Sequence, residues 1–179
     1  MGTVVIDLVM SLDGFIAGPT NEDDGLHNWY FEPTGNATLV IDELFQTIGA
    51  MIIGKGVYGS EPDGFETPYK VPHFVLTHEA RPPVEREGMI FHFVADGIEQ
   101  ALAQAQAAAG EKTICIAGGA TTAQQFLHAG LVDELHIHLV AKLLGRGLAL
   151  FGRGESVQLE QIRVLESPGV THLRYRIVK

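Results

Sequence analysis

The sequence predicts the α/β class with a largely parallel central sheet, and three observations carry that prediction. Short, nearly continuous apolar runs rich in β-branched residues recur along the first two thirds, segments of helical period separate them, and the last third turns to alternation. Parallel strands covered on both faces read as continuous apolar runs, and strands alternating with helices imply βαβ units. At 179 residues the expectation is one domain, residues 1–179, and 46% hydrophobic content is enough to fill one core.

The elements follow in order. Residues 3–10 (TVVIDLVM) form the first apolar strand, and the same texture marks strands over 50–53, 73–77, 89–94 and 113–117. Residues 38–48 (TLVIDELFQTI) place Leu39, Leu44, Phe45 and Ile48 at helical spacing, with Gly49 positioned to close the helix in the left-handed conformation. Residues 96–109 (DGIEQALAQAQAAA) offer Asp96 as N-cap, strong helix formers and Gly110 as the stop. A third helix runs from Thr121 or Thr122 to Ala129 and ends at Gly130. Residues 134–140 (ELHIHLV), 158–166 (QLEQIRVLE) and 170–178 (VTHLRYRIV) alternate, and Ser167-Pro168-Gly169 joins the last two as an antiparallel hairpin. The count is eight strands and three or four helices. The stretches 18–36 and 59–72 are long for loops of a compact domain, which marks them as functional candidates.

A formal net charge of -10 and a pI of about 5.1 disfavour general nucleic-acid and anionic-membrane binding, because both partners repel an acidic surface. The one cysteine, Cys115, rules out a disulfide framework, a CxxC site and the P-C-x-x-C ligand set of a zinc deaminase. With no cationic leader ahead of an apolar segment and no run of about 18 apolar residues, the expected location is cytoplasmic.

Two glycine sites carry the binding chemistry. Gly54, Gly56 and Gly59 spell a GxGxxG directly behind a strand, yet the segment after Gly59, SEPDGFETP, contains two prolines and a glycine where a dinucleotide fingerprint needs a helix. The reading is instead a glycine turn that brings backbone N–H groups close to a ligand, with Lys55 as a cation at the strand end. At Gly118-Gly119-Ala120-Thr121-Thr122 a strand meets a helix N-terminus bearing hydroxyls, an arrangement that receives phosphate. A plain tight turn with a threonine cap is the alternative there. Two such sites in one small domain favour a ligand with several phosphates.

Five segments in order, MSLDGFIAG (10–18), MIIGKGVYG (51–59), FVLTH (74–78), IAGGATTAQQFL (116–127) and VDELHIHLVAKLLGRGLALF (132–151), resemble the dihydrofolate reductase-like superfamily. The closest branch is that of the C-terminal reductase domain of the bacterial riboflavin-synthesis deaminase-reductase. The resemblance implies a three-layer fold with a mixed, mainly parallel eight-stranded sheet and a C-terminal antiparallel hairpin. It implies an NADPH-dependent oxidoreductase that transfers hydride to a small heterocyclic or imine substrate, without deaminase activity, acting as a homodimer. By the same resemblance Val9, Ile16 and Ala17 lie beside the nicotinamide, and Gly54, Lys55, Gly56 and Val57 form the glycine-basic turn near the adenosine phosphates. Leu76, Thr77 and His78 hold the adenine ribose, and Gly118, Gly119, Ala120, Thr121 and Thr122 form the pyrophosphate loop. Lys55, Thr77 and His78 together suit a ribose 2′-phosphate, hence NADPH over NADH.

The sequence departs from the folate-reducing pattern in two places. The helical stretch Asn36-Ala37-Thr38-Leu39-Val40 lacks the expected acid, although Glu32, Asp42 and Glu43 are neighbours in sequence, and Lys70-Val71-Pro72-His73 lacks the arginine that clamps a folate tail. Dihydrofolate is therefore not the expected substrate, and no proton donor is identified. Asp13 and Trp29 are substrate-site candidates, with a turn and a core anchor as their alternatives. His136 and His138 share one strand face, but no third ligand accompanies them, and no metal is expected. The glycine-basic turns Gly145-Arg146-Gly147 and Gly152-Arg153-Gly154 suit a substrate phosphate or a simple connection. Two further readings remain: an aminouracil-phosphoribosyl reductase of riboflavin synthesis, and a non-catalytic NADP-binding sensor.

Overall fold

Each of the eight apolar or alternating runs becomes a strand in the computed structural model, which describes residues 1–59, 67–152 and 156–179. In chain order the elements are β1 (Val4–Ser11), β2 (Phe15–Ala17), α1 (Asn28–Phe31), α2 (Asn36–Thr47), β3 (Ile48–Gly54), α3 (Lys55–Tyr58), β4 (His73–Leu76) and β5 (Val84–Arg86). They continue with β6 (Met89–Val94), α4 (Ile98–Ala109), β7 (Thr113–Ile116), α5 (Ala120–His128), β8 (Glu134–Val140), β9 (Leu148–Ala149), β10 (Leu159–Ser167) and β11 (Val170–Ile177).

The main sheet has the order β10-β11-β8-β1-β7-β3-β4-β6-β5. The ladders from β8 through β1, β7, β3 and β4 to β6 are parallel, and the flanking β5 and the β10–β11 hairpin run antiparallel. Nine strands stand where eight were expected, because β5 is a three-residue VER segment too short to show a period. β2 and β9, both short, form a separate ribbon. Side chains alternate across each strand. Ile6 and Leu8, Ala50 and Ile52, and Ile114 and Ile116 pack under α4 and α5 with Ala101, Leu102, Ala105 and Phe126. Met51 and Cys115 turn the other way, onto Val40 and Leu44 of α2. Asp7, between Ile6 and Leu8, therefore faces the α2 side.

Three local expectations are corrected. The buried face of α2 is Ala37, Val40, Ile41 and Leu44, while Leu39 and Phe45 are exposed, so the apolar stripe is shifted by about one position around the helix. Gly49 does not end that helix. It lies within β3, where a Cβ would stand 2.6 Å from Lys112 Cβ and 3.1 Å from Ala109 Cα, so the glycine serves close approach rather than a left-handed cap. Asp96 does not cap α4; Gly97, at φ +93, takes that place. Gly110 and Gly130 follow α4 and α5 with positive φ, as expected of helix stops. Among the described residues no helix is long and apolar enough to cross a membrane.

Candidate active site

The parallel strands β1, β7, β3 and β4 end on one side of the sheet, where open α/β sheets bind ligands. There the two glycine turns touch. Gly54 N–H donates to Gly118 O at 2.9 Å, and a Cβ at Gly54 would lie 2.6 Å from Thr122 Oγ1. Val57 Cγ2 stands 3.5 Å from where a Cβ would be at either Gly118 or Gly119, so backbone lines the groove between them. No side chain caps α5, which leaves its first-turn N–H groups for another acceptor. An uncapped helix start and a cradle that a Cβ would fill fit the pyrophosphate of a dinucleotide.

A cleft of about 520 Å³ opens beside this groove. Val9, Ile16, Ala17, Val57, Gly118 and Gly119 line it together with Asp7, Trp29, Tyr30, Tyr69, Cys115 and His138. The expected nicotinamide residues thus share one space with Val57 of the glycine turn and with Gly118 and Gly119 of the pyrophosphate loop. Gly54, Lys55, Gly56, Leu76, Thr77 and His78 lie beyond it, at the ends of β3 and β4, which the Gly54–Leu76 pairing sets side by side. Lys55 Nζ donates to Gly59 O at 2.8 Å and stands 4.8 Å from the Tyr58 ring centre. Arg81, which the sequence reading missed, lies over the same ring at 5.4 Å and brings a second cation to that end. Ala120, Thr121 and Thr122 form the first turn of α5.

Asp13 does not line the cleft. Its carboxylate accepts from Ser11 Oγ at 2.6 Å, Gly145 N at 2.7 Å and Leu144 N at 3.1 Å, which ties the loop after β1 to the loop after β8 and lowers its pKa to about 2, the Ser11 bond first. The turn alternative describes it. Gly147, at φ +155, lets β9 approach β2, since a Cβ there would stand 2.2 Å from Ala17 O. Arg153 and Gly154 lie outside the described residues.

The chemistry missing from the motifs appears on β1, β8 and β11. Register sets Asp7 opposite His136, and His138 opposite His172. His138 Nε2 lies 3.2 Å from Asp7 Oδ1, His138 Nδ1 lies 2.8 Å from His172 Nδ1, and His172 Nε2 lies 3.1 Å from Ser167 Oγ. His136 Nδ1 faces Asp7 Oδ2 at 3.4 Å, an ion-pair distance, while its Nε2 meets Glu134 at 3.1 Å. Asp7 Oδ2 is buried without a hydrogen-bond partner among the described residues. Burial alone would raise the Asp7 pKa, but His138 and His136 together hold it well below the usual carboxylate range. Trp29 packs on this cluster, its ring centre 4.6 Å from that of His138 and 4.9 Å from that of His172. Tyr30 donates to Tyr69 at 3.3 Å, and burial raises both phenol pKa values, so both stay neutral donors.

On the far side of Asp7 a smaller cavity of about 260 Å³ holds Glu43, whose carboxylate takes Arg163 at 2.8 Å and Arg174 at 2.6 Å. Glu43 is thereby an ion-pair partner on that side, and the acids that line the cleft are Asp7 and Asp23, the latter paired with His27. Two signals pointed to Asp7: a carboxylate inside the otherwise apolar VVIDLVMS, and the HIH pair.

The family model of the RibD C-terminal domain matches residues 2–173. The chain is 27% identical to the uncharacterized protein YwjB of Bacillus subtilis (strain 168), over 89% of this chain and 97% of that protein. Among solved structures it resembles a candidate riboflavin biosynthesis protein of Shewanella sp. PV-4, with TM-score 0.76 and 24% identity over the whole of both chains. It also resembles the Thermotoga maritima diaminohydroxyphosphoribosylaminopyrimidine deaminase/5-amino-6-(5-phosphoribosylamino)uracil reductase, with TM-score 0.72 and 14% identity over 99% of this chain and 57% of that one. Enterococcus faecalis dihydrofolate reductase complexed with NADP(H) has the same fold, with TM-score 0.64 and 15% identity over 99% of this chain and 97% of the enzyme.

Proposed function

This chain belongs to the RibD C-terminal domain family, and from that premise we propose that it is an NADPH-dependent reductase acting on a small amino-substituted heterocycle or imine. The observation that carries the reading is the meeting of both glycine turns and the residues Val9, Ile16 and Ala17 around one cleft with Asp7 in its wall. Gly118 to Thr122 would hold the pyrophosphate, Lys55 and Arg81 the 2′-phosphate end, and Val9, Ile16 and Ala17 the nicotinamide. Bound there, the cofactor supplies a hydride.

The remaining tasks fall to the chain. Trp29, Tyr30 and Tyr69 give the cleft aromatic walls that suit a flat ring. Asp7, held ionised between His138 and His136, puts a negative charge in the cleft wall, which selects amino-substituted or protonated nitrogen compounds over neutral acceptor-only rings. Leu44, Ile48 and Met51 close the apolar floor and limit water.

The aminouracil ribotide of riboflavin synthesis is the second reading. The family match favours it, and Arg163 and Arg174 in the adjoining cavity supply cations for a phosphate, although Glu43 already pairs with both. The half-exposed apolar residues Leu159, Ile162 and Val164 on edge strand β10 support a homodimer, which sedimentation tests directly. The reading as a whole is tested by NADPH oxidation with the aminouracil ribotide, dihydrofolate and a cyclic imine, with Trp29 emission reporting occupancy. Turnover of a nitrogen heterocycle is expected. Tight NADPH binding with turnover of none of them would leave the sensor reading instead.

A further inference from the structure

We propose that the substrate of the cleft is a preformed iminium cation of a planar, phosphate-free heterocycle, held by the aromatic faces of Trp29, Tyr30, Phe31 and Tyr69 in the field of the Asp7 carboxylate. Its reaction rests on the reductase reading, and its ligand on the charge of the cleft. The iminium carbon takes the hydride of the reduced nicotinamide, and the π pair of the C=N bond settles on nitrogen as a lone pair. One C–H bond forms at the substrate as one breaks at the coenzyme, and no proton is consumed. The positive charge passes from the substrate to the nicotinamide ring, so the product leaves the cleft as a neutral amine.

The charges around the cleft favour a cation. Among the described residues that line it, Asp7 and Asp23 are carboxylates, Asp23 is paired with His27, and none is lysine or arginine. A substrate phosphate would meet acids there and no cationic partner. Arg163 and Arg174 stand in the adjoining cavity, both on Glu43, behind a partition of Asp7, Leu44, Ile48 and Cys115 that lines both spaces. Asp7 needs no contact with the ligand, because its charge acts through the low-dielectric wall. Behind it His136 lies between two carboxylates, Asp7 at 3.4 Å and Glu134 at 3.1 Å, so that ring cannot cancel both. Burial chiefly, and the Asp7 charge in addition, push up the pKa of Tyr30, of Tyr69 and of the Cys115 thiol. A field that disfavours negative charge on these walls favours positive charge between them. A preformed cation also asks no acid of a wall where Asp7 is ionised and the phenols and thiol hold their protons firmly.

The aromatic faces supply the shape. α1 presents Trp29, Tyr30 and Phe31 in succession, with ring centres 5.7 Å and 5.8 Å apart and neighbouring planes at 85°. Tyr69 joins them from the loop before β4, its hydroxyl 3.3 Å from that of Tyr30. Rings set edge to face offer π surfaces in two directions, which suits a delocalised cation lying among them. Phe31 lines the cleft yet is 75% exposed, an apolar face without protein cover in the wall of an acidic space. A flat cation lying on it would bury apolar surface and gain the attraction of the ring quadrupole together. Rings without carboxylates would suit any flat molecule, and carboxylates without rings any small cation. The two together select a planar organic cation.

The test separates charge from shape. N-methylisoquinolinium and isoquinoline have nearly the same outline, and at pH 8 the first is a cation and the second neutral. Calorimetric titration without cofactor should show the cation binding the native protein about ten-fold tighter or more. Asp7→Asn should remove most of that preference. Phe31→Leu, at an exposed position that spares the fold, keeps an apolar side chain but removes a π face. It should weaken the cation by about two- to five-fold and isoquinoline less. Equal binding of the two probes, binding of neither, a preference unchanged in both variants, or tighter binding of the aminouracil ribotide than of the cation overturns the proposal. The reaction is read with N-methyl-3,4-dihydroisoquinolinium, whose fixed charge should make it a better substrate for NADPH oxidation than the ribotide. Turnover of the ribotide alone overturns the proposal and leaves the reductase reading standing. Absence of NADPH binding would instead sink the reductase reading, while the two isoquinoline probes still decide the ligand class.

Discussion

The half of the cleft proposed for the cofactor is built from backbone, and the half proposed for the substrate from side chains. At Gly54 and Gly118–Gly119 the binding surface exists because atoms are missing: no Cβ fills the groove, and no side chain caps α5. Around Asp7 the surface is made by imidazoles, phenols and a carboxylate contributed by β1, β8, β11, α1 and the loop before β4. The difference teaches that the first kind of site is written within a few consecutive residues. The second is written in the pairing of strands far apart in sequence.

The comparison predicts that changes in the two halves move different observables, and the largest effect belongs to the side-chain half. Asp7→Asn keeps the shape but removes the charge between His136 and His138, so kcat should fall by about 10²–10⁴ with NADPH affinity unchanged. An equal loss in NADPH affinity would erase the distinction between the halves.

Next is Gly147→Ala. Its new Cβ would overlap Ala17 O at 2.2 Å in a backbone region at φ +155 that favours glycine, so a loss of about 3 kcal/mol in stability is expected. Urea denaturation measures it. Because Ala17 lines the cleft, NADPH binding should weaken as well.

Burial also holds down two histidines, one away from the cleft and one beside His138. His73, at the start of β4, has its pKa lowered to about 4 by burial, against a hydrogen bond to Val71 O that works to raise it. His172 is lowered to about 4 by burial first and then by His138. In both cases the unfolded chain takes up a proton first as pH falls. Stability is therefore complete above about pH 6.5 and is lost progressively down to about pH 4, on the order of 3 kcal/mol for His73 alone. Denaturation at pH 7 and pH 4.5 should show the loss, and His73→Gln should reduce it without altering turnover at pH 7. A flat profile would contradict the buried neutral state.

The smallest effect is at the far end of the groove. On the proposed placement of the 2′-phosphate, Lys55→Ala or Arg81→Ala should weaken NADPH by about ten-fold and NADH little, since one charged hydrogen bond would be lost. Equal losses for the two cofactors would remove the 2′-phosphate from this end.

Legibility in the sequence divides along the same line. Apolar runs placed every long strand, and the glycine motifs placed the two strand-end turns that meet at Gly54 and Gly118, because both signals are local. VER of β5 and LA of β9 carry no period and were not visible. Asp96 lost the cap of α4 to Gly97 because the turn there needs positive φ, which outweighs a side-chain acceptor. The acid was sought on α2, by resemblance, and lies on β1 instead. Nothing within residues 4–11 reveals that Asp7 will meet His138, and only the register of β1 on β8 and of β8 on β11 brings Asp7, His138 and His172 together. Arg81 was missed for the same reason, since its relation to Lys55 runs through the Tyr58 ring.

The most direct measurement is calorimetric titration of NADPH and NADH into the native protein and into Gly119→Val, whose added methyls would enter the groove beside Val57. The expected result is saturable NADPH binding, weaker NADH binding, and loss of both in a Gly119→Val protein that remains folded by circular dichroism. Absence of heat with either cofactor, or unchanged binding in Gly119→Val, would contradict a coenzyme held between the two glycine turns.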